Sequence, residues 1–142
     1  MVERQNRPGR RAGKGFYDYP PDGPKRLWPG LSRLVPEAAA QPALDEVKTR
    51  YLAIQALEAA RCLEENVVTD PADADVGAIL GWGFAPWTGG PLSYIDMLGT
   101  GRFVELCDRL AQQHGARFLP NPMLRDLARR GAAIYGEQRK AA

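Results

Sequence analysis

The chain has 142 residues, 44% of them hydrophobic and 25% charged, with a net charge of +2. That composition excludes a disordered chain or a strongly polyelectrolyte one, and the length fits one globular unit. No run approaches about 18 consecutive apolar residues, so a membrane-spanning helix is not expected. The basic start carries no apolar stretch of the kind that makes a secretory signal, and a cytoplasmic location is the expectation. Cys62 and Cys107 are too few for a disulfide framework and read as reduced, buried side chains on helix faces.

Residues 1–42 read as an irregular arm. Gly9, Gly13, Gly15, Gly23, Gly30 and repeated prolines break any helical period. Phe16, Tyr17, Tyr19, Leu27, Trp28 and Leu31 are too apolar for a free tail, so the arm is expected to lie against a surface. Arg4, Arg7, Arg10, Arg11 and Lys14 crowd its start against the single acid Glu3. A nucleic-acid contact there is weighed and set aside, because the rest of the chain is balanced in charge.

Residues 43–142 read as a helical domain. The first long helix is expected from about Ala43 to Glu65, with Asp45 and Glu46 at the favourable end of its dipole. Leu44, Val47, Tyr51, Ile54 and Leu57 recur at helical spacing and predict one apolar stripe, continued by Ala60 and Cys62, and Glu46 and Arg50 suit an i,i+4 ion pair. The next helix starts at Pro71 behind a capping Asp70, carries the apolar Val76, Ile79 and Leu80, and stops near Gly81. A third opens at Pro91, with Leu92, Ile95, Met97 and Leu98 apolar, and closes at Gly99. A fourth spans about Gly101 to His114, its core side formed by Phe103, Leu106, Cys107 and Leu110. A fifth follows Asn121 as cap and Pro122, with Met123, Leu124 and Leu127 inward, and weakens at Gly131. Glu137 to Ala142 are expected to fray. No segment alternates with period two, so the expected fold is all-α: a compact bundle of about five helices behind an extended irregular arm.

The densest information lies in Asp75-Val-Gly-Ala-Ile-Leu-Gly-Trp-Gly-Phe-Ala-Pro-Trp-Thr-Gly-Gly-Pro-Leu-Ser-Tyr-Ile-Asp96. Its glycines Gly77, Gly81, Gly83, Gly89 and Gly90, with Pro86, Pro91 and the aromatics Trp82, Phe84, Trp87 and Tyr94, mark a tight helix–turn–helix junction. Trp82 and Trp87 are expected in the core, with an acyl groove as the lesser alternative. Asp70, Asp73 and Asp75 miss the spacing of a calcium loop, and no metal site is predicted. Ser32 and Ser93 lack a neighbouring base. Asp96 is expected to accept a hydrogen bond from nearby backbone or side chain. The one histidine, His114, falls at a helix end and reads as solvated.

Two blocks carry a family resemblance. Gly13-Lys-Gly-Phe-Tyr-Asp-Tyr19, followed by Lys25-Arg-Leu-Trp-Pro-Gly30, resembles the end of the first C-terminal helical domain in multifunctional β-oxidation α-chains. Asp75-Val-Gly77, Gly81-Trp-Gly-Phe-Ala-Pro86, and Gly89-Gly-Pro91 through Asp96 resemble the second such domain. The family is that of NAD-dependent 3-hydroxyacyl-CoA dehydrogenases, in which these domains fold like the C-terminal domain of 6-phosphogluconate dehydrogenase.

The resemblance implies that Asp75, Gly77, Gly81, Gly83, Phe84, Pro86, Gly89, Gly90, Pro91 and Asp96 form a structural motif. It places no catalytic, cofactor-binding or metal-binding residue in this chain. In the family, NAD sits on a glycine-rich Rossmann turn and a histidine–glutamate dyad takes the hydroxyl proton. Neither pattern occurs here, and the chain reads as a fragment of a longer dehydrogenase. Its implied partners are the Rossmann domain and the first helical domain of the same enzyme, with a homo-oligomer possible. The alternative is a free-standing helical interaction module derived from such an enzyme.

Overall fold

A computed structural model describes residues 1–136. The expected fraying of Glu137 to Ala142 lies outside the described residues. The chain divides into two compact units, Met1–Gln41 and Pro42–Ala142.

The first unit is more ordered than its glycine and proline content suggests. A single helical turn, α1 (Val2–Gln5), leads to a 3-10 turn at Arg10–Ala12. Two short strands, β1 (Tyr17–Asp18) and β2 (Arg26–Leu27), then pair antiparallel, Tyr17 opposite Leu27 and Asp18 opposite Arg26. A second short helix, α2, spans Leu31–Leu34. Each strand has two residues, too few for the alternation that reveals a strand in sequence. Arg7 is the clamp of this unit. Its guanidinium donates to the Gly15 carbonyl at 2.7 Å, to the Tyr17 carbonyl and to the Asp18 carboxylate, and it stacks 4.4 Å from the Trp28 ring.

The second unit is all-α. Its helices are α3 (Leu44–Glu64), α4 (Pro71–Trp82), α5 (Pro91–Leu98), α6 (Thr100–His114) and α7 (Pro122–Arg130). Local chemistry sets most of the boundaries. Pro71, Pro91 and Pro122 each occupy a first turn, where an absent N–H costs nothing. The Asp70 carboxylate accepts from the Ala72 N–H at 2.9 Å. Glu46 and Arg50 pair at 3.6 Å. α4 runs past Gly81 to Trp82, and Gly83 provides the left-handed residue (φ 77°) that ends it.

Phe103, Leu57, Leu92, Ile95, Leu124 and Cys107 are fully buried, and Tyr94 meets the edge of Phe103 at a centroid distance of 6.3 Å. Two helices present faces other than the ones their apolar spacing suggests. α3 buries Ala53, Ala56, Leu57 and Ala60, so the C-terminal part of the expected stripe (Leu57, with Ile54 packed on the core) does face inward, while Leu44, Val47 and Tyr51 are exposed. The alanine stripe is the narrower one, and it lets α5 approach α3 closely. α4 buries Pro71, Asp75 and Ala78, leaving Val76 and Leu80 in solvent and Ile79 only half-buried. Met97 on α5 is also exposed.

Asn121 does not cap α7 with its own side chain. The Glu64 carboxylate, from the end of α3, accepts from the Met123 N–H at 2.6 Å. Asn121 instead donates to the Ala60 carbonyl (3.1 Å) and to Glu64 (3.0 Å). The cap thus comes from a distant helix and fastens two helix ends together.

Cys107 is wholly enclosed, and burial pushes its thiol up to about 12. Burial, and then the hydrogen bond to Asp75, likewise raise the Tyr135 phenol to about 12. Both groups bind a proton more tightly folded than unfolded. Their stabilising contribution is therefore complete below about pH 9 and is lost as pH rises towards 12. Urea unfolding midpoints are expected to fall steadily across that window, and less steeply in Tyr135→Phe. In native protein at neutral pH, a thiol reagent such as Ellman's should modify the half-exposed Cys62 and leave Cys107 untouched until denaturant is added.

Candidate functional site

The junction singled out in the sequence is built around one buried carboxylate. Asp75 is 2% exposed and projects from the middle of α4 onto the start of α5. One oxygen accepts from the Leu92 N–H at 2.7 Å. The other accepts from the Ser93 N–H (3.0 Å), the Ser93 hydroxyl (2.6 Å) and the Tyr135 hydroxyl (2.8 Å). No cation contacts it among the described residues. Its charge is stabilised instead by unpaired amides at a helix N-terminus and two hydroxyls. α5 begins at Gly90-Pro91, which offer no capping side chain of their own, so Asp75 caps it from a neighbouring helix.

The turn residues make that approach possible. Gly90 has φ 122°, and a β-carbon there would stand 2.4 Å from the Cβ of Asp75. Gly89 has φ 81° and lies against Ser93. Pro86 opens a 3-10 turn over Pro86–Thr88. The Thr88 hydroxyl donates to the Ala85 carbonyl at 2.6 Å and accepts from the Gly90 N–H at 3.1 Å. Phe84 is buried directly after Gly83, and its N–H reaches back to the Ala78 carbonyl at 3.1 Å.

Asp96, at the other end of α5, accepts from the Ile134 N–H (2.8 Å) and the Tyr135 N–H (3.0 Å). It orders the segment that carries Tyr135 to Asp75. Asp75, Gly83, Phe84, Pro86, Gly89, Gly90, Pro91 and Asp96 therefore build one connected junction. Gly77 and Gly81 do not join it. Both lie on the exposed side of α4, and a β-carbon at either would meet nothing within 4 Å. Thr88, Ser93 and Tyr135 take part without having been singled out as structural residues. Only the proximity of Thr88 and Ser93 to the glycine–proline run could have signalled them.

Trp82 and Trp87 are not core residues. Each is 68% exposed. Trp82 shares the helical face of Asp75 and Ala78, but as the last residue of α4 it stays in solvent, where its indole N–H donates to Gln55 of α3 at 3.2 Å. Trp87 stands beside Val47, Tyr51, Leu52 and Ala85 around a shallow, almost wholly apolar hollow of about 280 Å³. Val47 and Tyr51 (68% exposed), beside Trp87, give the second unit an apolar face along α3, and Trp82 reaches the same helix through Gln55.

His114 is not solvated as its position suggests. It is half-buried, with its ring 6.2 Å from Phe118 and its Nε2 3.4 Å from the Glu46 carboxylate. Glu46 is thus its acid–base neighbour, and no hydrogen bond or ion pair among the described residues links His114 to the Asp75 network. Asp70 acts as a cap and Asp75 as a junction residue, and Asp73 is exposed. Among the described residues no group of three or more metal-ligating side chains converges. No described helix is long and apolar enough to cross a membrane.

The Asp75 arrangement therefore positions helices, and the unit displays apolar surface beside it. No family model matches the chain. It is 42% identical over 135 residues to the fatty acid oxidation complex subunit alpha of Shewanella loihica, a match covering 92% of this chain. The chain spans about one fifth of that relative's length, 19% of it. By sequence, then, the chain is a relative of fatty acid oxidation complex alpha subunits, similar over nearly all of its length to one part of such a subunit.

Proposed function

We propose that the chain is the C-terminal helical part of an NAD-dependent 3-hydroxyacyl-CoA dehydrogenase of fatty-acid β-oxidation, and that it supplies packing rather than chemistry. The parent enzyme would oxidise a 3-hydroxyacyl-CoA to a 3-ketoacyl-CoA, with NAD bound by its Rossmann domain. This chain would hold no cofactor and would dock on that domain and on the first helical domain. Residues 43–142 would be the docking domain, and residues 1–42 the tail of the domain before it.

The observation that carries this reading is the apolar face of Val47, Tyr51, Trp82 and Trp87. A folded unit seldom leaves so many large apolar side chains in water unless another surface covers them. The Asp75 junction supports it from beneath, because it fixes α4 and α5 rigidly and so fixes the shape of that face.

The test pairs the purified chain with an alpha subunit of the relative from which the matched stretch has been removed. NADH oxidation with acetoacetyl-CoA is followed alone and in mixture. The chain alone should give no turnover above the protein-free rate, and mixing should yield a complex on size exclusion. Trp87→Ser with Tyr51→Ser should weaken that complex at least about tenfold, since exposed aromatic anchors dominate such contacts. Turnover by the chain alone would overturn the reading. Absence of any complex would favour a free-standing interaction module with a different partner.

A further inference from the structure

The first unit contains a cationic cavity that the packing role leaves unused. It has a volume of about 760 Å³ and is lined by Arg10, Arg11, Tyr19, Pro20, Gly23 and Lys25, among others. That volume lies within the range of small-molecule sites. Its walls are fixed by backbone hydrogen bonds. Gly9 and Lys14 exchange amide–carbonyl bonds of 2.8 and 3.3 Å, which close the turn carrying Arg10 and Arg11. The Tyr19 N–H donates to the Gly13 carbonyl at 2.9 Å, and this joins that turn to the far wall. The Lys25 ammonium rests 4.8 Å from the centre of the Tyr17 ring.

The charge in this cavity is uncompensated. Arg7 already holds Asp18, and Asp22, between the lining Pro21 and Gly23, is not itself a lining residue and makes no ion pair among the described residues. Arg10, Arg11 and Lys25 make no ion pair among the described residues, and no acidic side chain lines the cavity. Two adjacent guanidinium forks and one ammonium suit oxygens spread over neighbouring phosphates better than a single carboxylate. Tyr19 and the prolines give one wall a less polar surface, against which an organic group can lie. We propose that this cavity binds a small ligand bearing a diphosphate, either free pyrophosphate or the diphosphate of a nucleotide. The proposal does not depend on the dehydrogenase reading, and neither stands or falls with the other.

Isothermal titration of the full chain with pyrophosphate, ADP and adenosine tests it. Pyrophosphate and ADP should bind and adenosine should not, and affinity should fall as salt rises from about 50 to about 200 mM. Equal affinity for the two would identify the free diphosphate as sufficient, and tighter ADP binding would identify a nucleotide. Arg10→Ala with Arg11→Ala should weaken binding at least about tenfold, and Lys25→Ala severalfold, while Arg33→Ala on α2 leaves it unchanged. All of these side chains are exposed, and far-ultraviolet circular dichroism would check that each variant keeps its fold. No binding of either phosphate at millimolar concentration would overturn the proposal. So would binding indifferent to Arg10, Arg11 and Lys25, or a short DNA duplex that binds when pyrophosphate does not.

Discussion

Asp75→Ala should destabilise the second unit by about 3 kcal/mol or more, lowering its melting temperature by roughly 10 °C or more. The side chain is enclosed and serves four donors, two of them backbone amides with no other partner. Truncation removes the acceptor and strands one fully buried donor, the Leu92 N–H, and three half-buried ones, and the asymmetry between a lost bond and an orphaned donor makes that expensive. Tyr135→Phe and Ser93→Ala each remove one donor and leave the carboxylate with three. Each should cost about 1 kcal/mol. Combining Asp75→Ala with Tyr135→Phe should cost less than the sum of the two, because the second change then deletes a donor already stranded. Urea unfolding of the four variants measures all of this. A loss under about 1 kcal/mol for Asp75→Ala would mean that the junction is held by packing and not by the carboxylate.

Gly90→Ala should be at least as damaging, about 3 kcal/mol or more, with loss of a cooperative transition as the extreme result. Two independent penalties coincide there. The backbone has φ 122°, which a residue with a β-carbon rarely adopts, and the added carbon would lie 2.4 Å from Asp75. Asp75 cannot retreat without releasing Leu92 and Ser93. The same substitution at Gly77 or Gly81 has the opposite expectation. Both sit in helical backbone with open space where the methyl would go, so alanine should stabilise each by about 0.5–1 kcal/mol. Thermal melts of the three single variants give the comparison directly. Three glycines of one motif would then separate into one that the junction requires and two that the isolated fold does not. An equally stable Gly90→Ala protein would refute the close approach of the two chain segments.

How far the sequence reached differs element by element. It placed the starts of α4, α5 and α7 because a proline suits each first turn, joined at α4 by the capping Asp70, and such signals act within a few residues. It placed the end of α7 at Gly131 for the same reason, and missed the end of α4 by two residues because Gly81 and Gly83 are both plausible stops. The glycine–proline run was legible as a junction, and its resemblance to a family agrees with the relative found. The orientation of α3 was not legible. It has an apolar stripe through Val47 and Tyr51 and another through Ala53, Ala56 and Ala60, and periodicity cannot rank two stripes on one helix.

By itself, then, the sequence determined where helices begin, that they are helices, and which run of residues joins α4 to α5. These outcomes depend on dihedral preferences and hydrogen bonds that close within one turn of chain. Tertiary structure alone decided that Asp75 caps α5, that Glu64 caps α7 from 59 residues away, and that Trp82 and Trp87 face outward. Those outcomes depend on which helix faces meet. That choice rests on how closely small side chains let backbones approach, a property of pairs of surfaces that no single stretch of chain contains.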